Sequence, residues 1–353
     1  MIRLHIETPL IESLSLSINK ESDANIWLKM EALQPCGSFK ARGIGHACKK
    51  YIADGAKKLI SSSGGNAGLA VAYSGRRLGV PVTVVVPKTT KKRAIDLIEI
   101  EGAEVIVIGE NWDEAHLHAM ALKKNNVAYI HPFDDPNIWE GHASIIDEIS
   151  STGIVPDALI LSVGGGGLLC GVVKGMNRNN WKNVPILAVK TKGEDSLNAA
   201  SLANKHVGID SINSIATSLG AKKVAKQAFE LLNEHQIVNH IVTDKDAING
   251  CYRFLEDHRI MVEPACGASL SAVYDGCDFL KDKQTVVVIV CGGFGVTMGQ
   301  LKEWSQARYI TKHYSERHKH VGCSKLVTSN KSAVSSEFIA ASAELGVINK
   351  KDR

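Results

Sequence analysis

The stretch Pro35-Cys36-Gly37-Ser38-Phe39-Lys40-Ala41-Arg42-Gly43 sets a single lysine between an aromatic ring and small residues. It follows a predicted strand over residues 26–30 and a Pro/Gly turn. Ser38 is suited to cap a helix over residues 39–53, which puts Lys40 in the first helical turn. The positive end of the helix dipole disfavours an ammonium there. A nucleophilic lysine must be neutral, so this placement suits Schiff-base chemistry. An ordinary exposed lysine near a helix start reads the same from this stretch alone.

Outward from the lysine, short β-rich runs alternate with helical ones. Strands are predicted at 58–62, 82–86, 104–108 and 127–130, with helices at 67–78, 91–101 and 112–124. The alternation resumes with helix 143–150, strand 158–163, helix 168–176 and strand 185–189. Helices 196–203 and 222–233, strand 237–242, helices 246–256 and 269–280, and strand 285–290 complete it. This rhythm indicates βαβ units and parallel sheets. The run Thr285-Val286-Val287-Val288-Ile289-Val290 is almost wholly β-branched, as expected of a strand covered on both faces. There is no internal repeat. From about residue 305 the pattern weakens into a Lys/His/Ser-rich stretch (308–329) and a short Ala-rich helix (335–345).

The 353 residues suggest about two domains, and 44% hydrophobic with 22% charged residues describe a globular chain with a large core. A net charge of +4, without a basic stripe interleaved with aromatics, argues against nucleic acid as a partner. Eight scattered cysteines form no CxxC pair, so neither zinc site nor disulfide framework is expected. No signal peptide or membrane-spanning run is read, and a cytoplasmic location is the expectation.

Three predicted strands end in glycine, at the place where open α/β sheets bind ligands. Ser61-Ser62-Ser63-Gly64-Gly65-Asn66-Ala67-Gly68 offers amides, hydroxyls and a helix start to an anion such as a carboxylate. Gly164-Gly165-Gly166-Gly167, before Leu168, lets several N–H groups converge on one phosphate. It has neither a following Gly-Lys-Ser/Thr nor dinucleotide spacing, so the phosphate belongs to a compact ligand. Cys291-Gly292-Gly293 carries a thiol at the third strand end. A buried inert cysteine is the ordinary reading of one such residue.

In that order, these features resemble the pyridoxal 5'-phosphate enzymes of fold type II, the tryptophan-synthase β-like fold. The chain is similar in particular to the liver-type serine/threonine dehydratases. The residues that carry the likeness are Gly37 to His46, Pro132-Phe133-Asp134-Asp135-Pro136, Trp139-Glu140-Gly141-His142-Ala143-Ser144 and Val262-Glu263-Pro264-Ala265-Cys266-Gly267-Ala268. It spans about residues 4–304. It implies an α/β fold with two open, twisted, mostly parallel sheets covered by helices, and an active site in the cleft between domains. Residues 1–44 and 136–320 would form the large domain, 45–135 the small one, and 321–353 an extension.

The resemblance also implies roles. Lys40 joins the cofactor aldehyde and removes the substrate Cα proton. Phe39 and Ser218 or Leu219 flank the pyridine ring, and Asn66 meets the ring 3'-oxygen. Gly164, Gly165, Gly166 and Gly167 hold the phosphate. Cys291 faces the ring nitrogen beside Gly292. Ser63, Gly64, Asn66 and Ala67 receive the substrate carboxylate. The implied reaction is dehydration and deamination of L-serine to pyruvate and ammonia, and of L-threonine to 2-oxobutanoate, by a homodimer.

Lys190 departs from the pattern, standing where that family has glutamate. In relatives a monovalent cation lies there, held by carbonyls matching Gly164, Glu194, Leu219 and Ala221. Either the Lys190 ammonium replaces that ion, so that no metal is held, or it is a surface lysine after a strand. Ser218 is more polar than the usual alanine. His313, His318, His320 and Lys325 lie in the tail, which reads as a solvated extension. Two other functions stay open on the sequence: racemisation or replacement chemistry on the same fold, and a non-catalytic binding protein.

Overall fold

The computed structural model describes residues 2–17 and 24–306. The expectations for residues 307–353, including the short Ala-rich helix and the histidine-rich stretch, lie outside them.

Ten strands are present among the described residues: β1 (Leu10–Glu12), β2 (Asn25–Lys29), β3 (Lys58–Ser61), β4 (Val82–Val86), β5 (Glu104–Val107), β6 (Val127–Tyr129), β7 (Ala158–Ser162), β8 (Ile186–Thr191), β9 (Ile237–Val242) and β10 (Thr285–Ile289). They form a six-stranded sheet in the order β1-β2-β10-β7-β8-β9 and a four-stranded sheet in the order β5-β4-β3-β6. Only the β1–β2 pairing is antiparallel. Every residue of β4, β7 and β8 is buried, because helices cover both faces of each sheet. The parallel-sheet expectation is thus met.

Some boundaries differ from the sequence reading for identifiable reasons. The lysine-bearing helix spans Lys40–Ala53, and Ser38 does not cap it. Phe39 occupies the cap position in helical conformation (φ −50°, ψ −20°). Ser38 instead pairs its backbone with Gly292, and its buried hydroxyl has no hydrogen-bond partner among the described residues. The predicted helix 269–280 begins earlier, as Pro264–Tyr274, because Pro264 can open a helix but not continue one. It stops before Gly276, whose φ of +66° ends the turn. The helix Pro136–Ser151 starts at Asp135, whose side chain accepts from the Asn137 amide.

Two devices fix the first turn of the Lys40 helix. Arg42 is fully buried and grips Glu31 through two bonds of 2.7 Å, and Glu148 through two of 2.6 Å. Lys29 donates to the same Glu148 at 2.6 Å. Helix Pro136–Ser151 also crosses the Lys40 helix at glycine: a Cβ on Gly141 would stand 2.5 Å from the Arg42 carbonyl and 2.7 Å from Gly43 Cα. Only glycine allows that approach.

Candidate active site

The loop after β10 and the turn before Lys40 are tied by backbone bonds, Phe39 N–H to Cys291 O (3.2 Å) and Gly293 N–H to Gly37 O (2.8 Å). Lysine and cysteine, 251 positions apart in sequence, are therefore brought to one strand end. The half-buried Lys40 donates from Nζ to the Pro132 carbonyl at 2.6 Å, with Nζ 5.1 Å from the Phe39 ring centre. Burial lowers its pKa to about 8, against the opposing pull of Cys291 and Glu263. A fraction of the amine is thus neutral near physiological pH.

Asn66 opens the helix Asn66–Leu78 at the end of β3. Its Nδ2 donates to Glu263 Oε1 (2.8 Å) and Ser218 Oγ (3.3 Å), and its Oδ1 accepts from Phe294 N–H (3.1 Å). The two sheets thus meet through this side chain. Ser63 accepts from the Gly65 amide at 3.3 Å, Gly64 packs against Thr90, and Ala67 is buried in the same helical turn. Ser218 and Leu219 lie in a short 3-10 turn (Thr217–Leu219) whose backbone abuts Gly164. A hydrogen bond with the Cys266 thiol, and then burial, hold the buried Cys291 thiol well above its usual pKa. Gly292, beside it, has φ +79°.

Sequence reasoning noted the Val262-Glu263-Pro264 stretch but gave Glu263 no part in the site. Its carboxylate, which burial pushes up in pKa, accepts from Asn66 and from the Gly295 amide (2.7 Å). An acidic residue amid apolar and small neighbours just before a helix-opening proline was the available signal.

The glycine loop fits a phosphate. Among the described residues, the amides of Gly164, Gly165, Gly166 and Gly167 have no protein acceptor. On the protein side the loop is closed: an added Cβ would lie 2.9 Å from Ser218 O at Gly164 and 2.4 Å from the Phe133 ring at Gly165. At Gly166 (φ +93°) it would lie 2.4 Å from Ala228 Cβ, and at Gly167 2.6 Å from Phe133 O. Helix Gly167–Arg178 starts there and adds its positive end.

The residues do not fit a monovalent cation. Lys190, fully buried on β8, donates from Nζ to Val163 O (2.7 Å), Gly164 O (3.0 Å) and Ser196 Oγ (3.4 Å). Burial lowers its pKa to about 7, with Glu194 and Asp195 opposing. Burial raises Glu194 to about 8, and its Oε1 has no hydrogen-bond partner among the described residues. Lys190 is therefore not a surface lysine, and its Nζ already takes up the Gly164 carbonyl that a monovalent cation would need.

Comparison with known proteins agrees with this geometry. The family profile described as "Pyridoxal-phosphate dependent enzyme" matches residues 2–292. A human "L-serine dehydratase/L-threonine deaminase" is 47% identical over 310 residues, covering 85% of this chain and 94% of the relative. An "L-serine dehydratase" of Dictyostelium discoideum is 41% identical over 322 residues, covering 86% and 92%. The crystal structure of a fungal L-serine ammonia-lyase from Rhizomucor miehei superposes with a TM-score of 0.82 at 37% identity, covering 87% of this chain and 99% of that one. With a half-buried lysine of lowered pKa and a glycine loop whose amides have no protein acceptor among the described residues, the chain belongs to the pyridoxal-phosphate-dependent enzymes of fold type II.

Proposed function

We propose that this enzyme is an ammonia-lyase that removes water and ammonia from L-serine to give pyruvate, and from L-threonine to give 2-oxobutanoate. The observation that carries the reading is Lys40: a lysine of lowered pKa, in one site with a glycine loop whose amides have no protein acceptor among the described residues, in a chain similar over 85% of its length to a serine dehydratase.

When bound, pyridoxal phosphate spreads the negative charge left at Cα as its proton departs. The chain's residues hold and orient. Lys40 Nζ would join the aldehyde and then, once free, accept the Cα proton; its pKa of about 8 leaves enough neutral amine for both tasks. The amides of Gly164, Gly165, Gly166 and Gly167 would hold the phosphate. Phe39 would cover one face of the pyridine ring, with Ser218 or its neighbour Leu219 near the other. Asn66, steadied by Glu263, would meet the ring 3'-oxygen. Cys291, beside Gly292, would face the ring nitrogen; its raised pKa keeps it a neutral thiol, which does not hold that nitrogen protonated. Ser63, Gly64, Asn66 and Ala67 would receive the substrate carboxylate at a helix N-terminus.

The same reading divides the chain into a large domain (1–44 and 136–320) and a small one (45–135), which the two separate sheets support. Free thiols at seven cysteines among the described residues support a reducing, cytoplasmic setting. A homodimer is proposed on the resemblance, with sedimentation as its test. The function is tested by incubating the holoenzyme with L-serine. Equimolar pyruvate and ammonia, lost in Lys40→Ala, are expected. A bound chromophore with inverted serine and no keto acid would replace elimination by racemisation.

A further inference from the structure

The four-glycine loop has an inner face as well as the outer one that fits phosphate. Lys190 Nζ takes up Val163 O at 2.7 Å and Gly164 O at 3.0 Å, and Ala225 N–H donates to Gly165 O at 2.8 Å. In a planar trans peptide the C=O and N–H point in opposite directions. Drawing the carbonyls of residues 163, 164 and 165 inward therefore turns the amides of Gly164, Gly165 and Gly166 outward. Those amides are among the ones left without a protein acceptor. Glycine chains have the freedom to rotate these peptides the other way, so something must hold them.

Lys190 is placed to do so. It sits on β8, which pairs with β7 in register from Leu159–Ile186 to Ser162–Val189, one residue short of the loop. Its three acceptors (Val163 O, Gly164 O and Ser196 Oγ) match the three donors of an ammonium. No carboxylate lies within salt-bridge distance of it among the described residues, so its bonds go to the loop rather than to a counter-ion.

We infer that Lys190 is a positioning residue: its side-chain ammonium is a built-in cation that holds the glycine loop in its anion-binding conformation, so that cofactor retention needs no free monovalent ion. The inference rests on the reading of residues 164–167 as the phosphate site. Lys190 bonds the loop's carbonyls and acts through the peptides of Val163 and Gly164.

The test is a titration of apoenzyme with pyridoxal phosphate, read by the cofactor's absorbance and by protein fluorescence. It uses the parent, Lys190→Met and Lys190→Ala, each in potassium, ammonium or choline chloride at equal ionic strength and at a pH below 7, where Lys190, lowered to about 7, carries its proton. The parent is expected to bind equally in all three salts. Lys190→Met, which fills the space without a donor, should bind roughly ten- to a hundred-fold more weakly, the scale of one or two charge-assisted hydrogen bonds. Lys190→Ala should weaken similarly in choline and recover in ammonium or potassium, because the vacated site admits a small cation; a purely packing role would show no such rescue. Folded Lys190→Met that binds like the parent, or Lys190→Ala that no cation rescues, would overturn the inference while leaving the phosphate site in place. Should both variants fail to fold, the parent decides alone: affinity that rises severalfold from choline to potassium overturns it, and equal affinity upholds it. A parent that takes up no pyridoxal phosphate in any salt would overturn the site reading and this inference together.

Discussion

Replacing Arg42 with methionine should destabilise the protein far more than any exposed ion-pair change. Its guanidinium is fully buried and makes four bonds of 2.6–2.7 Å to Glu31 and Glu148, plus one of 3.0 Å to Ser144 and one of 3.3 Å to Thr8. Methionine fills most of the volume but leaves the fully buried Glu31, among the described residues, with Thr8 and Gln34 as its side-chain donors. Removing one partner of a buried pair costs about 3–5 kcal/mol. With an unfolding entropy of roughly 0.6 kcal/mol/K for a unit of about 300 residues, the midpoint should fall by about 5–8 °C. Differential scanning calorimetry of the apoenzyme measures it. Arg42→Met/Glu31→Met removes both charges and should recover at least half of the loss. Lys92→Ala, which breaks an exposed pair of 2.7 Å, should leave the midpoint unmoved. The reasoning is refuted if Arg42→Met melts within about 1 °C of the parent, or if the double variant melts no higher than the single one.

Three further outcomes are expected. The rate at which apoenzyme captures pyridoxal phosphate should rise about tenfold per pH unit below 8 and level off above it, because Lys40, lowered to about 8, is protonated on the acid side and neutral on the alkaline side. A stopped-flow profile still climbing at pH 10 would mean an ordinary lysine. Gly165→Ala should weaken cofactor binding by roughly tenfold or more, since its Cβ would lie 2.4 Å from the Phe133 ring and one side must move, at a cost of about 1–3 kcal/mol; equilibrium titration reads this, and unchanged affinity would show that Phe133 yields freely. Glu263→Gln presents an amide N–H₂ to either Asn66 Nδ2 or Gly295 N–H, so one of two bonds (2.8 and 2.7 Å) is lost. The cofactor's visible band should shift or broaden as Asn66 loosens, and an identical spectrum would remove Glu263 from the site.

What the sequence determined by itself is local. Alternating apolar runs and helices placed nearly every element, because buried parallel strands and amphipathic helices differ in period and length. Lys40, Asn66, the four glycines and Cys291 were legible because each stands at a strand end or helix start, where α/β sheets bind ligands. Helix starts were less legible. Ser38 has the chemistry of a cap, yet its backbone is drawn into a bridge with Gly292, 254 positions away, and its hydroxyl faces no amide.

Only the tertiary structure decided the partners. Glu263 reaches Asn66 across 197 positions, and Arg42 reaches Glu148 across 106. Such contacts depend on how two sheets and their helices pack, which no local pattern encodes. Lys190 shows the difference most plainly. After a strand, the sequence allows a solvated lysine or an ammonium in a cation site, and choosing between them needs the depth of β8 and the direction of the carbonyls above it. Burial removes the water that would otherwise satisfy the charge, and the glycine loop's carbonyls take its place.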